Sequence, residues 1–396
     1  MDPQILEWLN LNVKWIHLIV GIAWIGASFY FNWLEGNLER QKAGLNKGVA
    51  GDLWAVHGGG FYHVEKFEVA PEKLPETLHW FKWEAYLTWI TGFTLMVLVF
   101  YMSPTLYMID PSVANLSPGL AISISVLSLA LVWLIYDRLC KTALVENNAR
   151  FFWVMFIGLT LLAYLFTELF SARAAYIQMG AIIGTLMVAN VFFVIIPSQR
   201  KMVDAMKQGE VPDPATGKAG FQRSFHNNYF TLPVLFIMIS GHYPLTFGSE
   251  YNWMILAAIA LIGVLVRHYF NLKNQGKVHH WILPLAAVLM ALLAYLTMPK
   301  PQETVLESEV TFEAIEPIMA QRCATCHAAN PTDPAFKVAP KGVELDTRAK
   351  IEQQADAVYA QTVTSKAMPI GNLTQMTPDE RALLGQWYLT LKNKES

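Results

Sequence analysis

Charge is scarce in this chain: Asp, Glu, Lys and Arg together make up 15% of its 396 residues, against about 25% in an average soluble domain. So little charge cannot cover a surface that faces water on every side, which argues against an ordinary soluble enzyme. Neither sign is in surplus, the net charge being −2. Without a basic excess there is nothing to neutralise phosphates, so nucleic acid is excluded as a partner. Cysteine is rarer still. Only Cys140, Cys323 and Cys326 are present, too few for a disulfide framework. The first ten residues carry Asp2 and Glu7 and no Lys or Arg, unlike the basic start of a cleavable signal peptide, so the first apolar run is expected to be retained as a span.

What the chain has instead is apolar material, 54% of it, gathered into runs of the length that crosses hydrocarbon, about 20 residues. The pattern predicts an all-α polytopic membrane helical bundle of about eight spans, near 11–34, 83–103, 118–138, 149–170, 174–197, 226–246, 251–270 and 281–299. The sixth is the weakest, since it starts on His226-Asn227-Asn228 and contains Pro233. The loops after spans 1, 3, 5 and 7 are strewn with cations such as Arg40, Lys66, Arg138, Arg200, Lys218 and Lys273, while those after spans 2, 4 and 6 hold only Arg173. Lys and Arg collect on the cytoplasmic side. Both termini are therefore expected outside the cytoplasm.

Near the C-terminus stands Cys323-Ala324-Thr325-Cys326-His327. This C-x-x-C-H run is the attachment motif of a c-type haem, two thiols bonding the porphyrin and the histidine ligating iron. Zinc would need further ligands, and no histidine follows His327. The second axial ligand is expected to be Met368, in Lys366-Ala367-Met368-Pro369, with Met376 as the alternative. Met376 directly precedes Thr377-Pro378-Asp379-Glu380, a helix start with Thr377 as cap and Glu380 closing a capping box, which suits a residue packed at a helix entrance. Residues 309–396 resemble a small class I cytochrome c domain, joined through a linker at 300–308 to a membrane domain at 1–299. Haem c is attached outside the bacterial cytoplasmic membrane, and eight spans from an outside N-terminus deliver the tail there, so the two signals agree. The expected location is the bacterial inner (cytoplasmic) membrane, with both termini and the haem c domain periplasmic.

The first cytoplasmic loop, about 35–82, is aromatic and holds Trp54, His57-Gly58-Gly59-Gly60-Phe61-Tyr62, His63, Glu65 and Lys66. Three glycines permit a ligand to approach the backbone. The segment 198–225 reads as an exposed, turn-rich connection without chemistry of its own. Within the spans, His17 lies among Gly21 and Gly26, which thin the helix for a flat group or a neighbouring helix. It is either a seam residue bonded to a neighbour or an axial ligand to a non-covalent haem b. His242 and His268 are further candidates for that role.

The first helix with His17, Trp24 and Gly26, the 54–65 segment, the run from His226 to Pro233 and the haem tail together resemble the membrane-bound, cytochrome c-fused urate oxidase (urate hydroxylase PuuD) family across essentially the whole chain. The first helix is also similar to the HemJ group of membrane haem proteins, which favours haem b at His17. The resemblance implies oxidation of urate to 5-hydroxyisourate, with electrons passed to the fused haem c and onward to a soluble or membrane cytochrome acceptor of the respiratory chain, without peroxide. Urate is a flat anionic purine, so its site needs aromatic faces, a cation and a base. Trp54, Phe61, Tyr62 and Tyr229 are the candidate faces, Arg223, Arg267 and Lys66 the candidate cations, and His57, His63, Glu65 and His226 the candidate bases. The competing expectation is an electron-transfer cytochrome subunit, anchored in the bilayer, that takes electrons from quinol or a separate dehydrogenase.

Overall fold

A computed structural model describes residues 3–40, 45–298 and 309–395. It is mostly helical, and several of its helices are apolar enough to cross a membrane. In chain order the bundle comprises α1 (Pro3–Asn37), a hairpin of β1 (Val49–His57) and β2 (Gly60–Phe67), α2 (Trp83–Tyr101), α3 (Pro118–Leu139), α4 (Asn148–Thr167), α5 (Ala172–Lys207), α6 (Pro214–Ser240), α7 (Asn252–Asn274) and α8 (Ile282–Leu296). Six of these, α1 to α5 and α7, have the length and hydropathy of a span. The other two occupy the places expected of the sixth and eighth spans. At 15 residues α8 is apolar but short, about 22 Å against a hydrocarbon core of about 30 Å.

Helix α6 departs most from its expected span. It begins at Pro214, twelve residues early, because Asp213 caps it by accepting from the Ala215 N–H at 2.9 Å and proline fills the first helical position. Its low hydropathy has a structural cause: Arg223, His226, Asn227, Asn228 and Thr231 are all buried against neighbouring helices. A hydropathy window scores such residues as exposed and so misplaces the start. The connection expected at 198–225 is thereby corrected to the end of α5, a turn and the first three turns of α6.

The aromatic loop is also corrected, to a β-hairpin. Val56 pairs with Phe61, Trp54 with His63 and Asp52 with Glu65, and the Gly58-Gly59 turn has φ of +58° and +80°. Two consecutive positive φ angles are what a two-residue hairpin turn requires, and glycine adopts them without steric cost. At its base Lys66 pairs with Glu35 at the end of α1, and its ammonium lies 5.8 Å from the ring of Phe221 in α6.

Residues 309–395 form a separate helical unit. Helix α9 (Phe312–Arg322) packs on α10 (Pro378–Glu395), and Phe312, Ile315, Met319, Leu384 and Trp387 build a core of their own. The expected capping box is present: Glu380 accepts from the Thr377 N–H at 2.7 Å, and Thr377 Oγ1 accepts from the Glu380 N–H at 3.2 Å. This unit sits on the end of the bundle opposite the hairpin. A Cβ at Gly371 would lie 2.9 Å from the Ile109 carbonyl oxygen, and one at Gly248 would run into that of Ser365. Lys366 faces Glu250 at 3.5 Å, and Ala367 packs on the bundle core. Phe221 near the hairpin and Gly241 near the C-terminal unit are twenty residues apart along α6, about 30 Å at 1.5 Å per residue.

Candidate functional sites

The side chains singled out in the sequence fall into three groups at the hairpin end and one at the opposite end. In the hairpin, the β1–β2 register stacks Trp54 on His63 at 4.4 Å, and His63 Nε2 meets Asp52 Oδ2 at 2.9 Å. Glu65 accepts from Asn46 at 3.0 Å. The hairpin tip points away from these contacts. His57 and Tyr62 are exposed there, and Phe61 is 78% exposed. The structure therefore gathers Trp54 and His63 and leaves His57, Phe61 and Tyr62 apart from the buried polar groups of the bundle.

Between α3, α5 and α6 lies a closed network. Arg223 donates to Asp137 at 2.8 Å and to Asn190 at 3.3 Å, and its guanidinium lies 5.0 Å from the Tyr136 ring. Asn190 donates to the Tyr136 hydroxyl at 3.0 Å and to Asn227 at 2.8 Å. That hydroxyl is 2.8 Å from His226 Nδ1, and Phe151 stacks on the imidazole at 4.6 Å. The charge of Arg223 is thus met inside the protein, and His226 is held rather than free.

On the other face of α6 the balance is different. Arg267, 6% exposed, donates through Nε to Asn228 Oδ1, and Asn228 Nδ2 donates to Asn271 Oδ1 at 2.9 Å. The Phe29 ring of α1 lies 4.2 Å from the guanidinium carbon. Arg267 Nη2 and Asn271 Nδ2 are buried without a hydrogen-bond partner, and among the described residues no carboxylate pairs with Arg267. A buried cation with no counter-charge costs several kcal/mol, and two orphaned donors call for an acceptor. Next to them the Tyr229 hydroxyl meets His268 Nδ1 at 2.8 Å. Arg267 and Tyr229 were legible in the sequence. Asn228, Asn271 and Phe29 were not assigned, although Asn271 stands one turn from Arg267 on the same face of α7.

A family model described as Urate oxidase N-terminal matches residues 3–298. The chain belongs to the urate oxidase N-terminal family. No curated relative and no solved structure matches it. The family match covers the bundle, the hairpin and all three groups just described; the C-terminal unit lies beyond it.

At the opposite end, a cavity of about 1090 Å³ lies between the family region and the C-terminal unit, lined by Cys323, Cys326, His327, Met368 and Met376. These residues fit a covalently held haem. His327 Nδ1 donates to the Val343 carbonyl at 2.9 Å, which leaves Nε2 as the nitrogen for a metal. Burial pushes the Cys323 thiol up to about 12 and also raises that of Cys326, so neither is an activated thiolate. Met376 is 3% exposed in the core of its unit, with its N–H tied to Asn372 at 3.0 Å. Met368 lies half-buried on a loop that Arg381 holds by donating to the Met368 carbonyl at 2.7 Å. Met376→Ala is expected to destabilise the C-terminal unit by about 2–5 kcal/mol, as loss of a core side chain does. Met368→Ala should leave stability within about 1 kcal/mol and, with a haem held by these residues, would change its spectrum. Thermal denaturation and the oxidised-minus-reduced spectrum read the two effects, and the reverse pattern would exchange the roles.

The three histidines proposed for haem b are not joined to one another by any hydrogen bond or ring contact among the described residues. His17 Nδ1 meets Thr91 Oγ1 at 2.9 Å, and Thr91 in turn donates to the Leu87 carbonyl. The hydroxyl therefore accepts from His17, leaving Nε2 unprotonated. The close helix approach is at Gly92 of α2, where a Cβ would stand 3.0 Å from the imidazole, whereas Gly21 and Gly26 have no neighbour within 4 Å. His268 neighbours Arg267, which is level with Phe29, twelve residues along α1 from His17, or about 18 Å. His17 and His268 cannot flank one iron. His242 lines the cavity at the opposite end, with Cys323 and Cys326.

Proposed function

We propose that this protein is a membrane urate oxidase that binds urate against Arg267 and Asn271 and passes the electrons to a haem c on Cys323 and Cys326. The observation that carries the reading is the Arg267 Nη2 left without a partner beside the orphaned Asn271 donor, within the region matched by the urate oxidase N-terminal family. Urate supplies what this group lacks: negative charge, carbonyl acceptors in one plane and an aromatic face.

In the proposed step urate and water give 5-hydroxyisourate, two electrons and two protons. Arg267 Nη2 and Asn271 Nδ2 donate to the purine oxygens, and Asn228 fixes both by accepting from one and donating to the other. His268, aligned by Tyr229, receives a proton. Asp137, Arg223, Tyr136 and His226 brace α6 from its other side and do not touch substrate. The hairpin pair Trp54 and His63 stands at the same end of the bundle.

A c-type haem held by Cys323, Cys326, His327 and Met368 would accept electrons singly and hand them to a cytochrome outside. The bundle separates the two ends by about 30 Å, too far for one tunnelling step, so the proposal includes a carrier between them. His17, with Nε2 available, is its proposed holder, as a haem b ligand. With eight crossings the tail stands in the periplasm and the Arg267 group near the cytoplasm, where purines are broken down.

The test is anaerobic addition of urate to the purified protein, watching the reduced haem c band. Reduction without any partner protein is expected. No reduction by urate combined with reduction by a quinol would favour the electron-transfer subunit instead.

A further inference from the structure

The C-terminal unit does not enclose the cavity that holds its two thiols. Residues 106–113, 167–173 and 241–252 of the bundle complete it. A haem carries two carboxylates on one edge, and burying them requires donors or cations to meet their charge.

The cavity has three arginines, and two are already committed. Arg322 pairs with Glu380 at 2.9 Å and donates to the Thr374 carbonyl. Arg381 donates to the carbonyls of Thr362 and Met368. On the bundle side the lining also holds Asp110, Glu168 and Glu250; Asp110 accepts from the Ser112 N–H and hydroxyl at 2.9 and 2.6 Å, and Glu250 faces Lys366 at 3.5 Å. Arg173, in the first turn of α5, has no hydrogen bond or ion pair among the described residues. Its guanidinium lies over Gly241, where a Cβ would stand 3.4 Å from Nη2 and 3.5 Å from Nε. Arg173 is an exposed guanidinium on the cavity wall, and a guanidinium free of protein partners there can meet a carboxylate with paired donors.

We propose that Arg173 binds a propionate of the haem c, so that the bundle itself supplies part of the haem site and the carboxylate edge of the haem faces the bundle. The inference rests on the reading of Cys323, Cys326 and His327 as a haem c site, and it adds to that reading a ligand-binding residue from the other part of the chain. Its consequence is electrostatic. A cation at the carboxylate edge stabilises the reduced iron and raises the midpoint potential, and it orients the edge toward the direction from which electrons arrive.

The experiment uses the full-length holoprotein in detergent and measures the midpoint of the covalent haem by spectroelectrochemical titration. Arg173→Gln is expected to shift the reduction equilibrium about tenfold toward the oxidised form, a fall of about 59 mV for a one-electron couple. Covalent haem staining should match the parent protein. Arg173→Lys, which keeps the charge, should shift it less than about threefold, and its behaviour decides the matter if the glutamine variant fails to fold. An unchanged midpoint with intact staining overturns the inference alone. A shift confined to an acid-acetone-extractable haem also overturns it, because Arg173 would then serve a different porphyrin. Absence of covalent haem from the parent protein overturns the haem c reading and this inference with it.

Discussion

Arg267→Met is expected to cut the kcat/KM for urate by about 30- to 4000-fold while leaving the thermal stability of the urate-free protein unchanged or higher. The two halves of this expectation follow from one observation, a guanidinium buried at 6% exposure with an unpartnered Nη2. Removing one partner of a buried, hydrogen-bonded charge pair costs about 2–5 kcal/mol of binding, and each 1.4 kcal/mol is tenfold. In the free protein the same charge has no carboxylate to lose, only the Nε hydrogen bond to Asn228. Replacing it with an apolar side chain of similar length relieves desolvation and keeps the contact with Phe29. A residue that only supported the fold would show the opposite pattern, loss of stability with activity falling in proportion. Asn271→Leu should follow Arg267→Met with a smaller loss, since it removes a neutral donor worth about 0.5–1.5 kcal/mol. Activity within threefold of the parent in Arg267→Met would remove the guanidinium from the urate site.

The double variant Cys323→Ala, Cys326→Ala is expected to lose all covalent haem and, with it, all urate-dependent reduction of an external cytochrome, while inserting into the membrane as before. Cys323 is buried beside the Met319 sulfur, 3.8 Å away, within a core that includes Ile315 and Leu384. Truncation to alanine therefore leaves only a small void there. The family-matched region at 3–298 is untouched, so urate should still bind, which calorimetry in detergent would read. Haem staining on a denaturing gel and steady-state cytochrome reduction measure the other two effects. Staining that survives both substitutions would withdraw the covalent haem, and undiminished cytochrome reduction would mean that electrons leave by a route that bypasses the tail.

Much of the architecture was legible because it follows from one length scale. Apolar runs near twenty residues marked α1 to α5 and α7 to within a few residues at most ends. The misreadings share a physical origin in neighbours that a linear pattern does not contain. Asn227 and Asn228 are polar yet buried because α5 and α7 satisfy them, and Thr231 because its hydroxyl donates to the Asn228 carbonyl of its own helix, so α6 looked weak and late. The Gly58-Gly59 pair was visible, but as room for a ligand; its meaning as a hairpin turn depends on the alternation of Trp54, Val56, Phe61 and His63 across the two strands. In the candidate site, the value of Arg267 could be suspected from its place in a span. Its distinction from Arg223 could not, since Asp137 that neutralises Arg223 lies 86 positions away in the chain.

The loop at 365–372 that offers the Met368 sulfur also rests on the bundle, through Gly371 against Leu106 and Ile109 and through Ser365 against Gly248. On the electron path proposed above, a soluble acceptor would find that face of the C-terminal unit already taken and would dock on a different side, so it need not leave for the iron to be reduced again from the bundle.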